Sequence, residues 1–153
     1  MNMIYRKRLH ANGVNSIDLI PTIASDGTNL LLVVSGGDDG AICASSFEIL
    51  KDKVSAHCNV LYPCVSACCL TAIRANDSVV VASGSEQRLI VLSVKDILSD
   101  IMEKRREAKT LKRIALRNMK MRMLDVSDIS SLDILKDVVT VVGDGMCCLS
   151  LNF

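Results

Sequence analysis

The chain has 153 residues, of which half are hydrophobic and 23% are charged, and its formal net charge is +1. It has seven cysteines but no secretory apolar segment behind the basic start Met1–His10, which indicates a reducing compartment. No stretch approaches the roughly 18 apolar residues that span a bilayer, so the composition argues against a membrane protein and predicts a soluble, cytoplasmic one.

The first hairpin pattern lies in residues 10–50. Residues 1–9, which carry no turn signal, are predicted to be the end of a strand from a preceding unit. After His10, alternating residues predict an inner strand that ends at Pro21. The stretch Asn29–Leu50 then combines an apolar run with the turn Gly36–Gly40, whose residues tolerate positive φ. This combination predicts a β-hairpin.

A second unit, residues 51–95, contains a predicted inner strand at Val65–Ile73 and another hairpin pattern at Asp77–Val94. Its possible metal ligands lack the paired Cys-x-x-Cys spacing of zinc sites, and alternate residues of a strand point to opposite faces. The sequence therefore predicts neither a metal site nor a reactive cysteine among these residues: His57, Cys58, Cys64, Cys68 and Cys69.

Residues 96–113 form a basic insertion that is predicted to be helical. Apolar residues recur at helical spacing from Ile97 to Met102, and either Asp96 or Ser99 is a candidate cap for a helix of about 15 residues. An outer strand is expected after it, at Ile114–Leu124. Residues 103–123 hold nine cations and two acids, a balance of +7 that leaves about −6 for the rest of the chain.

This basic charge has two interpretations. One is a solvated helix face, and the other is a surface that contacts RNA phosphates. No aromatic residues are interleaved, so RNA contact would be non-specific attraction to the backbone without base stacking. The candidate RNA-backbone contacts are Lys104, Arg105, Arg106, Lys109, Lys112, Arg113 and Arg117.

Residues 114–153 make up the terminal unit, in which three strands are predicted at Ser130–Leu135, Val138–Val142 and Met146–Phe153. The turn glycines Gly36, Gly84 and Gly143 lie 48 and 59 positions apart, near the length of about 45 residues of a four-stranded propeller blade. The predicted fold class is all-β, a partial β-propeller of two to three blades with one inserted basic helix. We expect the chain to be the carboxyl-terminal part of a larger protein, whose amino-terminal segment supplies the missing outer strand of the last blade.

The segment HANGVNSI followed by LLVVSGGDDGAICASSFEI resembles a WD repeat, with the usual Trp position taken by Ser45 or Phe47. In such repeats a His, a turn Asp and a strand hydroxyl form a structural hydrogen-bond network. The resemblance assigns these roles to His10 and Asp39, with Ser16 or Ser35 as the hydroxyl. In the second unit it implies a weaker network with His57 and Glu86, and Leu92 at the Trp position.

Three stretches, HANGVNSIDLIPT with VVSGGDDGAI, VASGSEQRL, and VSDISSLDIL with GDGMCCLSLNF, resemble the WD-repeat regulators of tRNA wobble-nucleotide 2′-O-methyltransferases, the family of WD repeat-containing protein 6. This resemblance implies a scaffold that is not an enzyme and has no cofactor. Its implied partners are an FtsJ-type tRNA 2′-O-methyltransferase and tRNA, with neither membrane nor DNA. The alternatives are a generic WD interaction module in signalling or trafficking without RNA, and an enzyme, for which His10 with Asp39 is the best candidate site.

Overall fold

The computed structural model of the chain describes residues 8–24, 26–50, 53–63, 69–107 and 119–151, and their side chains except at 49–50, 53–63 and 104–107. Nearly all regular structure in these ranges is β, which confirms the predicted all-β class. The elements are β1 Val14–Ile23, β2 Asn29–Gly37, β3 Ala41–Leu50, β4 Lys53–Pro63, β5 Leu70–Ala75, β6 Val79–Gly84, β7 Arg88–Ser93, α1 Val94–Glu107, β8 Lys120–Met123, β9 Ser131–Leu135, β10 Val138–Val142 and β11 Met146–Ser150.

The strands form three separate antiparallel sheets in which neighbours in sequence are neighbours in space. The first sheet has the order β1-β2-β3-β4, the middle sheet β5-β6-β7-β8, and the last sheet β9-β10-β11. Over the described residues, none of the sheets closes on itself. The tight β2–β3 connection is possible because Gly40 adopts φ 67° and donates its N–H to the carbonyl of Gly37 at 3.1 Å.

The middle sheet packs between the other two. All six residues of β6 are buried, because this strand has apolar neighbours on both faces. Val80 and Ala82 belong to the hydrophobic cluster shared with the first sheet, whereas Val79 and Val81 belong to the cluster shared with the last sheet. A continuous apolar run is what a strand covered on both sides requires.

The sheets meet along their first strands, β1, β5 and β9. The Ser16 hydroxyl accepts the N–H of Ile73 at 3.1 Å, and Asp18 Oδ2 accepts the N–H of Ala75 at 2.8 Å. Between the middle and last sheets, the Thr71 hydroxyl donates to a carbonyl just before β9, that of Ile129, at 2.5 Å. Polar side chains of each first strand therefore reach the backbone at the next one.

Several boundaries differ from the sequence-based expectation. The pattern groups residues 51–95 as one unit, whereas Lys53–Pro63 pairs with β3 and belongs to the first sheet. Similarly, Lys120–Met123 pairs with β7, as expected for an outer strand, so it belongs to the middle sheet and not to a terminal unit starting at residue 114. Pro21 does not end the first strand but pairs with Leu31 within it. The reason is that β1 lies at the edge of its sheet, where a residue without an N–H is tolerated.

The predicted helix is present as α1, which follows β7 directly. Its cap is neither Asp96 nor Ser99: the Ser93 hydroxyl accepts the N–H of Asp96 at 3.3 Å. Ile97 and Ile101 are each 1% exposed and pack in the cluster between the first and middle sheets. Residues 108–113 of the insertion and residues 114–118 of the predicted outer strand lie outside the described ranges. Within the described ranges, no helix is long and apolar enough to cross a bilayer.

Candidate functional site

Three polar side chains of the first sheet meet in a buried network. His10 lies before β1, Ser35 is in β2 and Asp39 is in the β2–β3 turn. His10 Nδ1 lies 2.9 Å from Asp39 Oδ1, and His10 Nε2 lies 2.8 Å from the Ser35 hydroxyl. Because a carboxylate only accepts, Nδ1 carries the proton, and in the neutral ring Nε2 then accepts from Ser35. Of the two hydroxyls expected for this position, the structure brings Ser35 to His10 and places Ser16 against Ile73.

Asp39 also binds the backbone on both sides of the network. Its Oδ2 accepts the N–H of Ala11 at 2.8 Å, and its Oδ1 accepts the N–H of Ala41 at 3.2 Å. The first bond holds the segment that precedes β1, and the second stabilises the start of β3. The carboxylate therefore ties three chain segments together at one end of the first sheet.

The pKa of Asp39 reflects two opposing effects. Burial favours the neutral acid and raises the pKa, but the hydrogen bonds from His10, Ala11 and Ala41 favour the carboxylate more strongly. The result is a pKa below the usual value of 3.8. The network thus keeps Asp39 ionised at neutral pH.

This shift predicts an acid-dependent loss of stability. A carboxylate whose pKa is lowered on folding stabilises the folded state fully above its unfolded-state pKa, here near 3.8. This stabilisation is lost as the pH falls through the lower pKa of the folded state. We expect the free energy of unfolding, measured by urea titration from pH 6 to about pH 2.5, to fall less steeply below about pH 4 in Asp39→Asn than in the unsubstituted chain. Parallel pH profiles for the two proteins would contradict this assignment.

A second, exposed group lies where the first and middle sheets meet. Asn15 Nδ2 donates to Asp38 Oδ1 at 2.7 Å and lies 3.1 Å from the carbonyl oxygen of Leu70, and the Cys69 thiol donates to the same Asp38 oxygen at 3.0 Å. The hydrogen bonds from Asn15 and then Cys69 lower the pKa of Asp38. This group links the two sheets, and sequence reasoning missed it because Asn15 and Leu70 are 55 positions apart.

The turn that carries this group recurs in all three sheets. The residue after a glycine donates its N–H to a carbonyl before the first strand: Asp38 to Gly13, Ser85 to Cys69 and Asp144 to Ser127, at 3.0, 3.1 and 3.0 Å. A Cβ on Gly37, Gly84 or Gly143 would lie 1.9 to 2.3 Å from that carbonyl oxygen, so only glycine fits. The structural equivalent of Gly84 is therefore Gly37 and not Gly36, because the close approach occurs at Gly37.

The networks of the other two sheets differ from the first. Glu86 lies two positions after Gly84, as Asp39 lies after Gly37, and its Oε2 is 3.6 Å from Arg88 Nε. In the last sheet, Asp144 Oδ1 accepts the N–H of Ser127 at 2.8 Å and Oδ2 accepts its hydroxyl. These bonds, the side-chain one first, lower the pKa of Asp144. Sequence reasoning missed Ser127, although the GDG turn was a signal that its Asp needs a donor.

The structure describes only some of the site residues that the sequence predicts. Ser45 and Leu92, two candidates for the Trp position, are 3% and 4% exposed, and Phe47 is half-buried. Among the described side chains, no group of three His, Cys, Asp or Glu residues could hold a metal ion. The remaining candidates lie outside the described ranges or outside the described side chains: His57, Cys58, Cys64, Cys68, Lys104, Arg105, Arg106, Lys109, Lys112, Arg113 and Arg117.

The side chains of Asp39, His10 and Ser35 follow one another along the hydrogen bonds in the same order as the Asp, His and Ser of a catalytic triad. Here, however, Ser35 is 7% exposed and His10 is 3% exposed, so the hydroxyl is covered from solvent. A groove of about 730 Å³ lies elsewhere, between one end of the first sheet and α1, where Ile23, Leu98 and Met102 line it. The geometry therefore supports a cross-link between chain segments better than a nucleophile.

Comparison with known proteins gives little further information. No protein-family model matches the chain, and no curated protein matches it. A solved structure to which the chain is similar is the crystal structure of the computationally designed Ika4 protein, with 12% sequence identity, 99% of each chain covered and a TM-score of 0.38. Because the TM-score is this low, the fold is inferred from the strand pairing alone.

Proposed function

We propose that the three sheets are adjacent blades of a WD-repeat propeller and that the chain is a non-catalytic scaffold, the regulatory part of a tRNA 2′-O-methyltransferase that acts on the anticodon wobble nucleotide. The observation that carries the scaffold role is the repetition of one arrangement. Each sheet is a meander, its first strand lies beside the first strand of the next sheet, and the same glycine–carbonyl approach closes each unit. Radially repeated meanders of this kind build propellers, which usually present binding surfaces.

The buried network favours a structural role over an enzymatic one. The Asp39 carboxylate already accepts hydrogen bonds from His10 and from two backbone N–H groups. A triad needs its hydroxyl within reach of a substrate, whereas the Ser35 hydroxyl is committed to His10 inside the sheet. The scaffold proposal assigns methyl transfer entirely to the partner enzyme.

The tRNA role rests on the sequence resemblance of the three hairpin regions and on the basic insertion. The described part of the chain supplies the platform, while most of the cations proposed for RNA contact lie beyond it. The alternative, a WD interaction module without RNA, is favoured by exposed apolar side chains on two sheets. Ile17 and Leu19 of β1 are 57% and 55% exposed, and Leu135 and Met146 of the last sheet are 77% and 72% exposed.

Reconstitution distinguishes the two functions. The full chain is mixed with an FtsJ-type tRNA 2′-O-methyltransferase and its tRNA, and methylation of the wobble ribose is followed in single-turnover reactions with S-adenosylmethionine. The regulatory proposal expects co-elution of the chain with the enzyme and a faster reaction when the chain is present. Co-elution with no change in rate would leave an interaction module, and no co-elution would overturn the proposal.

Reversal of two charges tests the RNA contact. Lys104→Glu with Arg105→Glu is expected to weaken tRNA binding by about tenfold at low salt. It should also reduce the slope of log affinity against log salt by about 1.5, because each phosphate contact contributes about 0.7 to 0.9 to that slope. The measurement is fluorescence anisotropy with labelled tRNA over a salt series.

The matched control reverses two exposed lysines, Lys95→Glu with Lys136→Glu. Both lie outside the basic stretch, residues 103–123. It changes the net charge by the same amount but should lower the affinity only modestly. An equal loss in both variants would indicate a general charge effect and would remove the basic stretch from the proposal.

A further inference from the structure

One pair of side chains in β1 makes a recurring part of the contact between the first and middle sheets. Ser16 and Asp18 accept the N–H groups of Ile73 and Ala75, which β5 leaves unpaired on its free edge. Asp18 uses its other oxygen, Oδ1, to accept the N–H of the residue after it, Leu19, at 2.9 Å. These bonds satisfy the edge of β5 while the apolar faces of the two sheets pack.

The same pair occurs again in β9. Asp18 pairs with Val34, three residues before Gly37, and Asp133 pairs with Thr140, three residues before Gly143. In this register Ser131 is the equivalent of Ser16. Asp133 Oδ1 accepts the N–H of the residue that follows it at 2.8 Å, as Asp18 Oδ1 does. The sequences SIDLI and SLDIL carry this repetition.

In the last sheet, the described part of the chain offers this pair no strand edge to bind. Ser131 and Asp133 are exposed, and among the described residues no backbone N–H of another sheet reaches either side chain. The apolar positions around them show the same contrast. Leu135, Val138 and Met146 are 77%, 43% and 72% exposed, whereas their equivalents in the first sheet are at most 3% exposed. Those equivalents are Ile20, Leu32 and Ile42. At these five positions, the outer face of the last sheet thus repeats the face of the first sheet that binds the middle sheet.

The occupant of this face must offer what β5 offers. A second copy of the chain does not fit, because its free first strand is β1, in which the N–H equivalent to that of Ala75 belongs to Leu19 and already donates to Asp18. A second copy would also bring the Asp18 carboxylate towards Asp133. The middle sheet has Arg74 at that position. Residues 124–151, which comprise β9–β11 and the segment before them, carry five acids and one cation, Lys136. Charge complementarity therefore favours a cation in the occupant.

We propose that the outer face of the last sheet binds the edge strand of a β-sheet from a partner protein, a strand with two unpaired N–H groups two residues apart and a cation between them. Ser131 and Asp133 accept these N–H groups, and the surrounding apolar residues pack on the partner's sheet. This inference rests on the register and the charges of the sheets, so it is independent of the tRNA role.

The probe is an acetylated and amidated peptide with the sequence of residues 70–76, LTAIRAN, which contains the edge of β5. It is titrated into the full, isotope-labelled chain while backbone amide signals are followed by NMR. We expect shifts at residues 131–135 and, for a peptide with Asp in place of the Arg74 equivalent, binding that is weaker by about tenfold.

Variants of the full chain separate a specific contact from general stickiness. Ser131→Ala with Asp133→Ala should weaken binding of LTAIRAN by about tenfold, whereas Ser130→Ala with Asp137→Ala, two neighbouring exposed positions, should leave it unchanged. Asp133→Asn keeps an acceptor oxygen but loses the charge, so it should bind both peptides with similar affinity. Absence of binding, shifts centred on β1, or equal loss in both double variants would each overturn the proposal.

Discussion

Replacing Gly84 with alanine is expected to lower the free energy of unfolding by about 3 kcal/mol or more. The added Cβ would lie 1.9 Å from the carbonyl oxygen of Cys69 and 2.9 Å from the Cα of Leu70. Both are backbone atoms, so the clash is relieved only if the middle sheet's first strand moves away from β6. Such a movement would also weaken the hydrogen bond from Ser85 to Cys69. Urea denaturation followed by circular dichroism measures the loss.

Gly145→Ala is the matched control, because no atom lies within 4 Å of the Cβ that it would add. Its effect should be within about 0.5 kcal/mol, as for other exposed surface substitutions. Similar midpoints for Gly84→Ala and the unsubstituted chain would mean that the turn does not require a glycine. The equivalence of Gly37, Gly84 and Gly143 would then have no energetic basis.

Replacing Asp39 with alanine is expected to cost about 3 kcal/mol of stability. The substitution leaves three donors without an acceptor: His10 Nδ1 and the N–H groups of Ala11 and Ala41. The side chain of His10 is only 1% exposed, so water cannot readily replace the lost bond at that atom. The unfolding free energy from urea titration at pH 7 gives the comparison.

The neighbouring carboxylate provides the control. Asp38→Ala removes hydrogen bonds from Asn15 and Cys69, but this group is exposed and water can take over the donors. We expect a loss below about 1 kcal/mol. If the two alanine variants were equally stable, the network around His10 would not be a structural cross-link, and the case for a scaffold built on it would fail.

The hairpins could be predicted from the sequence because their signals are local. An apolar run such as Leu30–Val34 followed by a glycine-rich turn favours few other structures. The helix could also be predicted, since Ile97 and Ile101 are spaced for one face. The predicted cap was wrong because the sequence pattern places Ser93 at the end of a strand. Ser93 and Asp96 nevertheless have the three-residue spacing of a capping pair.

The pairing of outer strands could not be predicted, because it is decided by contacts distant in sequence. Lys53–Pro63 joins the first sheet through its ladder with β3, and nothing in its own residues says which hairpin it will extend. The pair of Ser131 and Asp133 was likewise hidden. Its likeness to Ser16 and Asp18 becomes visible only when the register of each sheet is known.

The burial of β6 on both faces has a consequence for how the chain can vary. A polar side chain at Val80, Val81 or Ala82 would be buried in one of two hydrophobic cores. A polar substitution at any of these positions should therefore lower the free energy of unfolding. Strands β1 and β10 each have an exposed row of side chains that can change without disturbing another sheet of the chain. Tolerance of sequence drift should therefore increase from the centre of the stack to its ends, and new specificities can arise at the ends while the centre stays fixed.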